Sequence, residues 1–140
     1  MLFRSERGAP NAPFSYFLMK TIRLKNIDQP LASPLTAHYC DSFLCRLRGL
    51  MFRSSLPSDQ GLLLVEARES RLDTAIHMLF VFMDLAVIWI NSEQVVVDTV
   101  LARAWRPAYT SHRPARYILE IHPHRLDEFK IGDRVEFQNG

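Results

Sequence analysis

The chain has 140 residues, 48% hydrophobic and 23% charged, with a formal net charge of +2, the size and balance of one soluble globular domain. That composition excludes a disordered, collagen-like or disulfide-scaffold chain, and so small a charge excludes polyanion binding by a basic tail as the main theme. Of the 17 cationic residues 14 are Arg, leaving only Lys20, Lys25 and Lys130.

In chain order, residues 1–18 carry Arg4, Arg7 and a short apolar run from Phe14. The run is too short for a secretory core and follows two prolines. These residues are expected to form a poorly ordered tail before a single domain over 20–138, with Met19 a second candidate initiator. Period-two alternation over 21–25 predicts a first strand. From about Ala37 to Arg48, the positions Cys40, Phe43, Leu44 and Leu47 recur at helical spacing. Gly49 stands where a helix-ending residue belongs, after Arg46 and Arg48 in the last turn. On such a helix Cys40 and Cys45 share no face, so both are expected to be free thiols in a reducing cytoplasm.

Further strands are predicted over 62–66, 75–80, 85–90, 95–100, 117–121 and 134–137, with a hairpin turn at 91–94 and a short second helix over 125–130. The fold class that follows is α+β, a compact β-rich domain of about seven strands in a largely antiparallel or mixed, barrel-like sheet with one main helix. The longest apolar stretch, 76–90, is interrupted by His77 and Asp84 and falls short of the roughly 20 residues that span a bilayer. No membrane anchor is indicated.

The series Arg48-Gly49-Leu50-Met51-Phe52-Arg53, Leu56-Pro57 and Gly61-Leu62-Leu63-Leu64 resembles the opening of the Domain of Unknown Function 192 family. The resemblance continues through Ile76-His77-Met78, Met83-Asp84-Leu85, Ile88-Trp89-Ile90, Trp105-Arg106, Leu119-Glu120-Ile121 and Gly132-Asp133-Arg134-Val135, over roughly 36–138. It implies a compact, β-rich α+β fold in a group of small prokaryotic proteins and, by its name, no established activity. Two turns depart from the family pattern, Asn91-Ser92-Glu93-Gln94 and His122-Pro123-His124.

His77 and Asp84 are the sharpest candidates for chemistry because apolar sequence surrounds each, and a buried charge needs a specific partner. A pocket joining them to Arg48 would hold a small anionic ligand or a partner's chain end. Arg48, His77, Asp84, Trp105 and Glu120 form the candidate ligand-binding set. The plainer readings are that Asp84 caps a turn or pairs with an Arg, that His77 bonds backbone, and that Trp105 anchors a loop. If the protein is an enzyme of hydrolase or lyase type, His77 is the general base and Asp84 orients it. No nucleophile elbow, Walker loop or dinucleotide-binding turn accompanies them, and no cofactor is expected. His112, His122 and His124 offer three imidazoles, but Pro123 interrupts the pair and no metal is expected. The run Arg103–Arg125 interleaves Arg with Trp105, Tyr109 and Tyr117, as single-strand binders do. Yet residues 71–140 hold 8 cationic and 9 acidic side chains, which weighs against nucleic acid. A non-catalytic accessory module, monomeric or weakly oligomeric, is the preferred expectation.

Overall fold

The computed structural model describes residues 20–139, so the expected tail and Met19 lie outside the described residues. Strict alternation of side chains drives the first strand, β1 (Thr21–Asn26), whose Ile22, Leu24 and Asn26 point inward. The others are β2 (Leu35–Cys40), β3 (Gln60–Ser70), β4 (Leu85–Ile90), β5 (Val96–Ala102), β6 (Ala115–Ile121) and β7 (Val135–Asn139). A short helix, α1 (Phe43–Arg48), follows β2, and a 3₁₀ helix occupies Pro123–Glu128.

All seven strands form one mixed sheet in the order β5-β4-β6-β3-β2-β1-β7. Every pairing is antiparallel except β2 with β3. A parallel pair needs a long crossover, and α1 with the loop to residue 59 supplies it. The β-rich α+β expectation therefore holds, while the barrel-like description holds only loosely. Just before the edge strands β5 and β7, Val95 bridges Arg134 and backbone bonds join 94–96 to 132–135, and the sheet curls without closing.

Successive residues of a strand face opposite sides, and both faces of the central strands are covered. Leu62, Leu64, Val87, Trp89 and Ile118 point to one side, beneath Leu50, Met78 and Val81. Leu63, Val65, Ile88, Leu119 and Ile121 point to the other, under Phe129. All six residues of β4 are buried, as a strand covered on both faces requires.

Three expectations are corrected. The helix predicted from Ala37 begins only at Phe43. Leu35, Ala37 and Cys40 are buried strand positions, while Phe43, Leu44 and Leu47 point outward at 69%, 74% and 54% exposure. The helical spacing was that of an exposed face. The extended piece over 75–80 contributes one isolated bridge, Ile76 with Tyr109, in place of a strand. The thiols are not free: Cys40 and Cys45 form a disulfide across a Cα–Cα distance of 5.8 Å. Because Cys40 ends a strand and is outside the helix, the helical angle that separated the two cysteines does not apply. The support that free thiols lent to a reducing cytoplasm is thereby removed. No helix among the described residues is long and apolar enough to cross a membrane.

Candidate functional site

Helix α1 is six residues long and buries none of them, so its position is set by ties at its ends. The Ser42 hydroxyl caps it by accepting the Cys45 N–H at 3.2 Å. The disulfide joins it to the end of β2. At the far end Gly49 takes φ +50° and donates its N–H to the Cys45 carbonyl at 2.9 Å, the termination expected of a glycine there. Arg46 then pairs with Glu66 of β3 at 2.8 Å and donates to the Val65 carbonyl. These ties hold the C-terminal end of α1 above β3 and β6.

Between that helix end, the sheet and the 73–81 loop lies a cavity of about 420 Å³. Leu64, Ile76, Val81 and Ile118 give it apolar walls, and Arg48, His77 and Glu120 reach it from three different segments. Glu120 occupies the floor. In the sheet it stands between Leu62 of β3 and Val87 of β4, and it is only 5% exposed. Burial with no compensating cation pushes its carboxyl up to about 7. Its Oε1 has no hydrogen-bond partner, and neither has the buried Nδ1 of His77. Glu66 is also shifted upward by burial, against the opposing pull of Arg46. Arg48 is exposed and makes no ion pair among the described residues.

Of the five candidate ligand-binding residues, the structure gathers Arg48, His77 and Glu120 at this cavity and leaves Asp84 and Trp105 outside its lining. The Asp84 carboxylate accepts the Ala104 N–H at 2.9 Å and pairs with Arg103 at 3.1 Å, which fastens the ends of β4 and β5. Trp105 is 48% exposed, in ring contact with Phe80 and Phe82, while Phe80 also meets Phe52. Phe52, Phe80 and Trp105 all have positive φ, uncommon for bulky residues. Backbone bonds from Phe52 to Phe80 and from Trp105 to Met78 lace their loops together. Sequence reasoning missed this aromatic cluster. The available signal was Phe80-Val81-Phe82, in which Val81 is buried and both rings point outward.

The remaining sequence candidates disperse. His112 bonds Asp98, and His122 contacts His124; among the described residues no three metal-binding side chains converge. In the Arg103–Arg125 run, Arg116 donates to the Glu66 carbonyl and Arg125 is buried.

The family model of Domain of Unknown Function 192, described as "Uncharacterized ACR", matches residues 23–137. The chain belongs to that family. A UPF0127 protein of Pyrococcus furiosus is 35% identical over 106 residues, which cover 74% of this chain and 87% of that protein. A UPF0127 protein of Thermococcus gammatolerans is 44% identical over 80 residues, 57% of this chain. That match spans about half of the Thermococcus protein, 50% of its length. A solved structure from Sinorhizobium meliloti, a candidate transcription regulator, superposes with a TM-score of 0.72 at 21% identity, covering 84% of this chain and 92% of its own. At that identity the likeness to it is one of fold alone. Domain of Unknown Function 192 carries no activity in its description.

Proposed function

We propose that this Domain of Unknown Function 192 protein is a non-catalytic binding module that seats a small polar ligand, or the end of a partner's chain, in the cavity of Arg48, His77 and Glu120. The observation that carries this reading is the Glu120 carboxyl, buried on the cavity floor with Oε1 unpartnered. Leaving such an acceptor unsatisfied costs about 1–3 kcal/mol. A ligand that brings a donor recovers this cost. The apolar walls and few converging polar groups are those of a small-molecule site. A ligand screen read by thermal shift and calorimetry tests it. Binding that is lost in His77→Ala and Glu120→Gln supports the module; ligands whose affinity ignores both changes would remove it.

A hydrolase- or lyase-type activity is the second reading, favoured by one observation. Glu120, raised to about 7 by burial, has the proton affinity a general acid or base needs near neutrality, and His77 lines the same cavity. The orienting role expected of Asp84 has no support, because that carboxylate is spent on Arg103 and Ala104. Turnover abolished by Glu120→Gln in a substrate screen would replace the binding reading; turnover that survives the change would discard the enzyme.

A further inference from the structure

The cavity's two unpartnered buried atoms can act as acceptors together. Glu120 Oε1 accepts when the carboxyl is ionised, and His77 Nδ1 accepts in the tautomer protonated at Nε2. The group that would satisfy both is a donor with several hydrogens. A neutral hydroxyl carries one hydrogen and leaves the ionised carboxylate uncompensated in its apolar surroundings. A primary ammonium carries three donors and a charge, and charge-assisted bonds of this kind are roughly twice as strong as neutral ones.

The opposite requirement stands at the rim. Arg46 is committed to Glu66, whereas Arg48, on the same helix and lining the same cavity, has no acid partner among the described residues. A guanidinium presents a fork of donors matched to a carboxylate. Gly49 lines the cavity beside the Glu120 carboxyl. A methyl group placed there would lie 3.7 Å from Glu120 Oε1, an ordinary contact.

Building on the binding reading above, we infer that the ligand is a small amino-carboxylate zwitterion, its ammonium on Glu120 and His77 and its carboxylate on Arg48. A free α-amino acid is the simplest member of the class. The charged and titratable groups around the seat are Arg46 and Arg48 on α1, Glu66 on β3, Glu120 on β6, and Asp73 and His77 on the loop. Of these, Glu120 must be ionised to hold an ammonium, so affinity rises with pH. With its carboxyl at about 7, binding at pH 6 is expected to be about tenfold weaker than at pH 8.

Calorimetric titration of the full chain with glycine, β-alanine, γ-aminobutyrate and L-leucine is the test, with N-acetyl-leucine and leucine methyl ester as controls. The expected result is binding by at least one zwitterion. Acetylation or Glu120→Gln should weaken it by tenfold or more, and esterification or the exposed-site change Arg48→Ala by several-fold. Retained affinity after N-acetylation would overturn the inference. Amide spectra with acetamide, glycerol and benzyl alcohol separate the two failures. If these neutral probes shift residues 46–50 and 118–120 while no zwitterion does, the zwitterion is wrong and the binding module stands. If no probe of either kind shifts them, both readings fall.

Discussion

Gly49 lies beside Glu120 in the cavity lining, with a methyl group at Gly49 falling 3.7 Å from the Glu120 Oε1. That separation is an ordinary contact, so space does not forbid alanine; backbone conformation does. Gly49 has φ +50° and ψ −128°, a region that L side chains rarely adopt. Gly49→Ala is expected to cost about 1–3 kcal/mol in urea denaturation. Because Gly49 lines the cavity beside Oε1, a leucine adds bulk at the seat, and Gly49→Leu should also weaken ligand binding there under conditions where the variant remains folded by circular dichroism. A glycine needed only to end the helix would leave binding intact in that variant.

Glu120 gives the fold a pH dependence of its own. Its carboxyl is raised from 4.5 to about 7, so between those values the folded chain holds a proton that the unfolded chain has released. Stability from this group is complete below about pH 4.5, falls as pH rises toward 7, and is flat above. The gap corresponds to about 3 kcal/mol. Chemical denaturation at pH 5 and pH 8 should show the wild type losing stability over that interval by more than Glu120→Gln does. Equal slopes in the two proteins would mean that the burial of Glu120 is relieved in solution.

The disulfide is expected to act locally. Closing a loop of this size is worth about 2 kcal/mol in the chain-entropy account, and the helix it ties has no buried residue of its own. Reduction, or the double change Cys40→Ala and Cys45→Ala, should therefore accelerate amide exchange over residues 41–50 while β4 and β6 keep their protection. Loss of protection throughout the sheet would show instead that the bond supports the whole fold.

Much of the sheet was legible because burial writes itself into alternation. The β-branched and aromatic run at 85–90, its hairpin partner and the 117–121 strand all fall within a residue or two of their predicted places. The segment 35–48 was not legible, since two different structures share one apparent period. Cys40 closes a buried strand, and Phe43, Leu44 and Leu47 form the open side of a short helix. Periodicity reports a face without saying whether it points inward. The site was readable only in part for a similar reason. His77 and Asp84 are both ionisable residues within apolar sequence, yet the chain turns one into the cavity and the other onto the Ala104 N–H. The outcome depends on a long-range contact that local pattern does not encode. Glu120 differs because it interrupts an interior strand whose neighbours are apolar, so its carboxyl faces only the cavity.

Arg125 shows where part of the arginine excess goes. Only 3% exposed, it grips Glu128 through Nε and Nη2 and donates to the carbonyls of Ser33, Pro34 and Ser58. One guanidinium therefore ties the 3₁₀ helix to the β1–β2 loop and to the turn before β3. Removing it would strand a partly buried carboxylate and three carbonyls, so Arg125→Ala is expected to cost about 3–5 kcal/mol. Lysine should rescue little, because an ammonium has three donors on one atom and cannot span the fork. Arg125→Met, which keeps the apolar stem, separates lost packing from lost pairing. If the methionine variant matches wild-type stability in guanidinium denaturation, the buried pair adds nothing beyond its volume; if methionine and lysine fail together, the directed hydrogen bonds are what hold these three segments in place.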